Sequence, residues 1–383
     1  MKEKVLLLAA KANMIQQFNM RNIKLLQKLG KEVHVATNFK DGGSIDQAGV
    51  NELVKELENM SVICHQIDFG RGFGSVAGNY IAVKQLLSIL NKKEEWAFIH
   101  AHSPLGGVLG RIAGKLTGVK SIYTAHGFHF FVKGPLKNWL IFPVEWVFAK
   151  MTSRLVVVNQ NDYKISKWLP VSKVTYLPSI GSDVTSKLNQ DEHEKANKRE
   201  IFRREMKFND DDFVFLSVGE LNDNKNHAIV VEALKRLPAQ VKYIIAGIGE
   251  NKSKLEEQII KNGLTNRVKL LGYRSDLSTV YAGADAFVFP SKREGFGIGG
   301  FDALLSGLYV IGTKNTNMKD YIVSDDLGVL VNTSSEPAIV GAMAKVYNNR
   351  QSPNLSQWSG YLNQFDETNV DKIMNEVYIQ ELK

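Results

Sequence analysis

Short β-branched and aromatic runs alternate with helically spaced apolar stripes along nearly the whole chain, and that alternation leaves few folds open. Residues 5–9 read as a strand, Met20, Ile23, Leu26 and Leu29 as one face of a helix stopping at Gly30, and residues 33–37 as the next strand. Further strands are expected at 61–67, 98–102, 121–125 and 154–158, with helices such as 80–90 between them. Apolar runs without period-two alternation, separated by helices, mean parallel sheets covered on both faces. The rhythm breaks over 183–212, where Asp191-Glu-His-Glu194 and the basic residues after it read as a solvated helix and charged connection. It restarts with strands at 213–218, 242–246, 268–271, 286–290 and 309–312. At 383 residues the chain exceeds one ordinary core. The expected fold class is α/β, with two doubly wound, Rossmann-like domains facing across a cleft, 1–173 and 174–359. The tail, 360–383, carries Ile373, Val377 and Leu382 on one face and is expected to pack back on the first domain as a helix.

A net charge of +8 and a pI near 9.2 favour anionic partners: nucleotides, nucleic acid or a lipid surface. The positive charge is dispersed and no aromatic-basic module appears, so nucleic acid is not expected. The single cysteine, Cys64, excludes an intramolecular disulfide and any cysteine-based metal cluster, which suits a reducing cytoplasm. No apolar run approaches the roughly 20 residues that span a bilayer. The first ten residues resemble a short signal peptide, but polar Lys11, Asn13, Gln16 and Gln17 follow at once, and a buried first strand is the better reading.

Ligands of open parallel sheets bind beyond the carboxyl ends of the strands, where loops and helix N-termini converge. One such loop is Glu294-Gly-Phe-Gly-Ile-Gly-Gly-Phe-Asp302. Glycines let backbone N–H groups approach an oxyanion, and the helix that follows adds its positive end. The two acids bracketing them suit sugar or ribose hydroxyls beside a phosphate. A flexible loop with two incidental acids is the bland alternative. A second loop, Gly219-Glu-Leu-Asn-Asp-Asn-Lys-Asn-His227, follows a strand and offers the Lys225 ammonium to a diphosphate, with Asn222, Asn224 and Asn226 shaping the turn. A third, Ala246-Gly-Ile-Gly-Glu250, has Lys252 where a dinucleotide fingerprint needs glycine, so Gly247 and Gly249 read as a tight turn near a nucleotide. The first half supplies His100, His102, His126 and His129 near strand ends. No acid stands near them in sequence and their spacing gives no helical chelate, so hydrogen bonding to a sugar hydroxyl or departing phosphate is favoured over a metal site. For His100 a core histidine competes with that reading.

Taken together these residues resemble the retaining, GT-B-fold glycosyltransferases of family 4. The loop from Glu294 to Asp302 is similar to the family's paired-acid motif, the loop from Gly219 to Lys225 to its diphosphate loop, and Thr124-Ala-His-Gly127 to its first-domain histidine. The stretches Ala101-His-Ser-Pro-Leu-Gly-Gly107 and His126-Gly-Phe-His-Phe-Phe131 look like the exopolysaccharide and capsule branch. The resemblance implies a UDP-sugar donor, a polyprenyl-diphosphate-linked saccharide acceptor, no metal and no other cofactor. It implies that Asp302 holds the ribose hydroxyls and Glu294 the donor sugar. Lys225, Asn226, Gly247, Gly249 and the backbone at Gly297, Ile298 and Gly299 line the donor, and His126 assists at the reacting centre. Lys11, Asn13, His102 and His129 fall on the acceptor side. Three departures stand out: Asp302 replaces a glutamate, Glu220 stands where arginine is usual, and residues 9–17 lack the usual paired glycines. A nucleotide-sugar epimerase of the same fold, or a sugar-nucleotide-binding protein without catalysis, are the competing functions.

Residues 135–150 are aromatic and basic, with one acid, Glu145. Two readings are open. The segment either exposes Trp139, Phe142 and Trp146 among Lys133, Lys137 and Lys150 to an anionic leaflet on the inner face of the cell membrane, or is an ordinary helix whose apolar side is core.

Overall fold

The computed structural model describes residues 3–92, 95–130 and 136–383. The chain divides into two compact units, Met1–Gly181 with Glu367–Lys383, and Ser182–Asp366. The first is built on a wholly parallel sheet of β1 (Lys4–Leu8), β2 (Glu32–Thr37), β3 (Ile63–Gln66), β4 (Trp96–His102), β5 (Lys120–Ala125), β6 (Arg154–Val157) and β7 (Val174–Tyr176), in the order β3-β2-β1-β4-β5-β6-β7. The second is parallel too: β8 (Phe213–Val218), β9 (Val241–Ala246), β10 (Val268–Gly272), β11 (Ala286–Phe289), β12 (Tyr309–Thr313) and β13 (Gly328–Val331), in the order β10-β9-β8-β11-β12-β13.

Burial on both faces explains why these strands lack polar alternation. Val5 and Leu7 enter one hydrophobic cluster, Leu6 and Leu8 another, and all four are fully buried. In the second unit Val214 and Leu216 pack on one side of the sheet, Phe213 and Phe215 on the other. Two strands escape the sequence pattern. Both β7 and β13 are edge strands of three and four residues, largely half-buried, and too short to carry a run. Because β7 pairs with β6, the division falls at Gly181 and Ser182 rather than after Lys173.

The tail also differs in detail from expectation. Residues 360–366 stay with the second unit, where the buried Asp366 carboxylate accepts from the backbone N–H groups of Val184 and Thr185, each at 3.1 Å. The returning helix is Glu367–Glu381, and the residues it buries are Val370, Met374, Val377, Tyr378 and Glu381; Ile373 and Leu382 are only partly covered. The buried stripe is thus turned from the one expected, because Tyr378 rather than Leu382 reaches the core.

The aromatic segment forms a 3₁₀ turn, Leu136–Ile141, and a helix, Phe142–Ala149; Lys133 and Pro135 lie outside the described residues. For Trp139 and Phe142 the core reading holds rather than the leaflet reading. Their rings pack on Phe130 at centroid distances of 5.6 and 5.4 Å. Trp146 is outward, as the leaflet reading has it, and so are Leu136 and Leu140, 88% and 78% exposed, with Val144 and Val147. Glu145 is buried because its carboxylate pairs with the fully buried Arg111 guanidinium through contacts of 2.5 and 3.2 Å. Among the described residues no helix is long and apolar enough to cross a membrane.

Candidate functional site

Strand order reverses direction between β8 and β11, so the loops leaving these two strands diverge and leave a crevice at their carboxyl ends. The ladder itself opens there. Only Ala286 with Phe215 and Phe287 with Leu216 are in register, after which the Ser217 hydroxyl donates to Val288 O in place of a ladder bond. Lys225 comes from the β8 loop and Glu294 from the β11 loop, and their side chains meet at 2.7 Å. The Lys225 ammonium also lies 4.6 Å from the centroid of the Phe289 ring.

Both loops are held by asparagines. Asn222 Oδ1 accepts from the N–H groups of Asn224 and Lys225, at 3.1 and 3.0 Å, which forms the turn that aims Lys225. Asn224 Nδ2 donates to Arg293 O at 3.0 Å, and Asn317 Nδ2 to Glu294 O at 2.9 Å. Asn226 has a left-handed backbone, φ 56°, and its amide donates to Pro290 O and Thr333 O, so it ties loops together rather than offering its side chain to a ligand. Glu220 is exposed and accepts from Asn222 Nδ2 at 3.0 Å, so it makes no contact with Lys225 in the described hydrogen-bond network.

The glycine loop ends at Gly297, φ 85°, which starts the helix Ile298–Leu305 without a side-chain cap. The amides of Ile298 and Gly299 come before the first N–H that finds an acceptor in this turn, Gly300 N donating to Gly297 O at 2.9 Å, and this leaves them for an anion. A side chain at Gly300 would strike the Tyr321 hydroxyl at 2.5 Å. Gly247 and Gly249 have a different reason to be glycine: a Cβ there would lie 1.9 Å from Gly219 O and 2.5 Å from Leu221 O. They pack the third loop against the Lys225 loop. Asp302, one turn into the helix, is paired with Lys187 at 2.5 Å. No motif marks Lys187, which sits on a short helix, Val184–Leu188. A cavity of about 460 Å³ adjoins this pair, lined by Ser186, Asn189, Tyr281 and Ser306 among others.

In the first unit the corresponding reversal lies between β1 and β4. Lys11 is paired with Asp41, and Asn13 Nδ2 donates to Ser44 Oγ at 2.9 Å, so both engage the loop after β2. His102 ends β4 and its Nδ1 lies 3.0 Å from Nε2 of His126, just past β5. His129 packs near Phe73, with ring centroids 6.4 Å apart. His100 is a core residue, its ring nitrogens 2.9 Å from the Tyr378 hydroxyl and 2.8 Å from Thr124 Oγ1. Among the described residues no group of three or more histidines, cysteines or acids is placed to hold a metal ion.

Burial pushes these histidines down, His126 to about 4 and His100 to about 3, and takes His102 well below its ordinary value. His227 in the second unit is also held at about 4 by burial. Each is therefore neutral at pH 7, and the unfolded chain takes up protons first as pH falls. Their stabilisation is complete above about 6.5 and drains away toward pH 4, at up to about 1.4 kcal/mol per pH unit for each group. Thermal melts at constant ionic strength should show a lower midpoint at pH 5.5 than at pH 7.5; an unchanged midpoint would mean these rings are not buried neutral.

Two family models match the chain, Glycosyl transferase 4-like over residues 4–160 and Glycosyl transferases group 1 over residues 198–361. The Bacillus subtilis (strain 168) protein EpsD is 28% identical over 359 residues, covering 91% of this chain and 88% of its own length. The UDP-Gal:alpha-D-GlcNAc-diphosphoundecaprenol alpha-1,3-galactosyltransferase of Escherichia coli is 30% identical over 284 residues, 70% of this chain and 71% of that one. In backbone shape the chain is similar to Anabaena Alr3699/HepE, solved in complex with UDP and glucose, with a TM-score of 0.78 and 19% identity over 99% of this chain and 100% of that one.

Proposed function

This chain belongs to the GT-B glycosyltransferases of the group 1 and 4-like families, and we propose that it moves a hexose or N-acetylhexosamine from a UDP-sugar to a polyprenyl-diphosphate-linked saccharide, with retention, in bacterial surface polysaccharide synthesis. The observation that carries the reading is the convergence of Lys225, Glu294 and the uncapped amides of Ile298 and Gly299 at the β8/β11 reversal. In this reading the glycosidic C–O bond breaks with its electrons going to the diphosphate oxygen, which Lys225 and the helix N-terminus stabilise. The acceptor hydroxyl bonds to the sugar carbon from the same face and its proton passes to the departing phosphate. Glu294 holds the sugar and Asp302 the ribose, and His126 donates to an oxygen at the reacting centre. No metal is needed where a lysine and a helix dipole supply the positive field. The substrate of the Escherichia coli relative, a diphosphoundecaprenol-linked GlcNAc, supports a lipid-linked acceptor.

Calorimetric titration with UDP, GDP and ADP, without added metal, tests the donor. UDP is expected to bind selectively, and Asp302→Ala to weaken it ~10- to 100-fold, the effect of losing charged hydrogen bonds to two hydroxyls. Equal binding of all three would remove the uridine preference, and no binding of any would remove the site. An anionic leaflet is part of the same reading. Leu136, Leu140 and Trp146 are outward, and Lys150 Nζ sits 3.9 Å from the Trp146 ring, the pairing of apolar and cationic groups that interfacial segments use. Protein that stays out of anionic vesicles in flotation would contradict that part alone.

A further inference from the structure

The first unit holds a histidine pair whose geometry goes beyond the roles assigned above. Nε2 of His126 is taken up by Nδ1 of His102 at 3.0 Å, and one face of the His126 ring lies on Phe18, centroids 4.7 Å apart. His102 is 1% exposed, and its own Nε2 is buried without a hydrogen-bond partner among the described residues. The neighbouring His100 ring, 4.2 Å away, does not help, because both of its nitrogens are already engaged. His126 is half-buried, and its Nδ1 is not among the buried unpartnered atoms.

Only two arrangements of protons fit two neutral rings joined this way. If His126 donated from Nε2, His102 would carry its proton on Nε2, an N–H sealed in the core with no acceptor. If His102 donates from Nδ1, the orphan is a lone pair and no N–H proton is sealed away from an acceptor, as buried N–H groups in folded proteins almost never are. The hydrogen bond made by one ring nitrogen sets the state of the other. We propose that His102 is a positioning residue, which donates its Nδ1–H to His126 Nε2 and so fixes the proton of His126 on Nδ1, the atom left to meet a ligand.

This rests on the transferase reading for its purpose and on the pair's geometry for its content. A departing phosphate or a sugar hydroxyl oxygen needs a donor, and a neutral imidazole with an outward N–H supplies one at neutral pH without carrying a charge. The low proton affinity that burial imposes on both rings keeps the pair neutral.

The test is histidine ¹⁵N NMR, which reads the tautomer without substrate, on wild-type protein, His102→Leu and His102→Asn. Asparagine places its amide N–H near the position of Nδ1 and removes the orphan nitrogen. Wild type and His102→Asn are expected to show His126 protonated on Nδ1, and His102→Leu to show Nε2–H or a mixture. In transfer assays kcat should fall at least about tenfold in His102→Leu with KM little changed, and recover in His102→Asn. An Nε2-protonated His126 in wild type overturns the proposal even if His102→Leu fails to fold. A tautomer and kcat that ignore the leucine also overturn it. If no transfer is found with any donor, the function is wrong but the tautomer still decides this inference.

Discussion

Glu294→Ala is expected to lower kcat/KM for sugar transfer by about 10²- to 10³-fold while the second unit stays folded. The carboxylate makes two separable contributions. It holds the Lys225 ammonium at 2.7 Å, and in the proposed mechanism it also holds the donor sugar. Its backbone does not depend on its side chain, because Asn317 binds Glu294 O and Asn224 binds Arg293 O. The loop should therefore keep its path in the variant. Lys225→Ala should be comparably damaging and somewhat less stable, by about 1–3 kcal/mol, because it strands a carboxylate whose side chain is only 11% exposed. Since the two side chains act as one unit, the double variant should lose less than the product of the single losses. Steady-state kinetics on the three variants, with melting temperatures alongside, measure this. Unchanged turnover in both single variants would mean that the reacting sugar lies elsewhere, and full additivity would mean that the pair is incidental.

Deletion of residues 367–383 is expected to abolish cooperative folding of the first unit, although the deleted residues lie far along the chain from its sheet. Tyr378 is fully buried, stacks on Phe98 with centroids 5.7 Å apart, and binds His100 through its hydroxyl. Val370, Met374 and Val377 complete the same cluster as Val5 and Leu7. The Glu381 carboxylate, 2% exposed, binds the Arg154 guanidinium at 2.9 Å and Lys173 at 3.2 Å. Removing the helix would expose the cluster and take from Arg154 both its counter-charge and its partner Gln380. The point variants divide this effect: Glu381→Ala should cost about 3–5 kcal/mol by stranding Arg154, and Tyr378→Phe about 1–3 kcal/mol by orphaning a nitrogen of His100. Hydrogen exchange read by unit gives the answer. Protection of β1, β4 and β5 should vanish in the deletion while that of β8, β11 and β12 persists, and retained protection in the first set would show that the sheet folds without its last helix.

Much of the architecture was legible because a parallel strand covered on both faces is a continuous apolar run, and the helices between such strands show their own spacing. The apolar run 213–218 predicts a strand with the ends the structure shows. The edge strands β7 and β13 are not predicted in this way, since a short, half-covered strand needs no apolar run and writes none. The tail's apolar spacing predicts a returning helix but not the face it buries, because which residues a helix hides depends on the surface that receives it. The aromatic segment meets the same limit: its composition permits either fate for Trp139 and Phe142, and Phe130 decides between them.

The site divides along the same line. Glu294, the glycines and Asp302 are neighbours in sequence, so strand, loop, uncapped helix and two acids were all visible, together with the family they resemble. Their partners were not. Lys225 and Glu294 are 69 positions apart, Lys187 and Asp302 are 115, and His100 and Tyr378 are 278. Local spacing and propensity, which act through a few covalent bonds, are written in the sequence itself. The pairing of charges, the tautomer of His126 and the covering of the first unit by the chain's last helix arise from contacts between distant segments, and only the closed sheets bring those segments together.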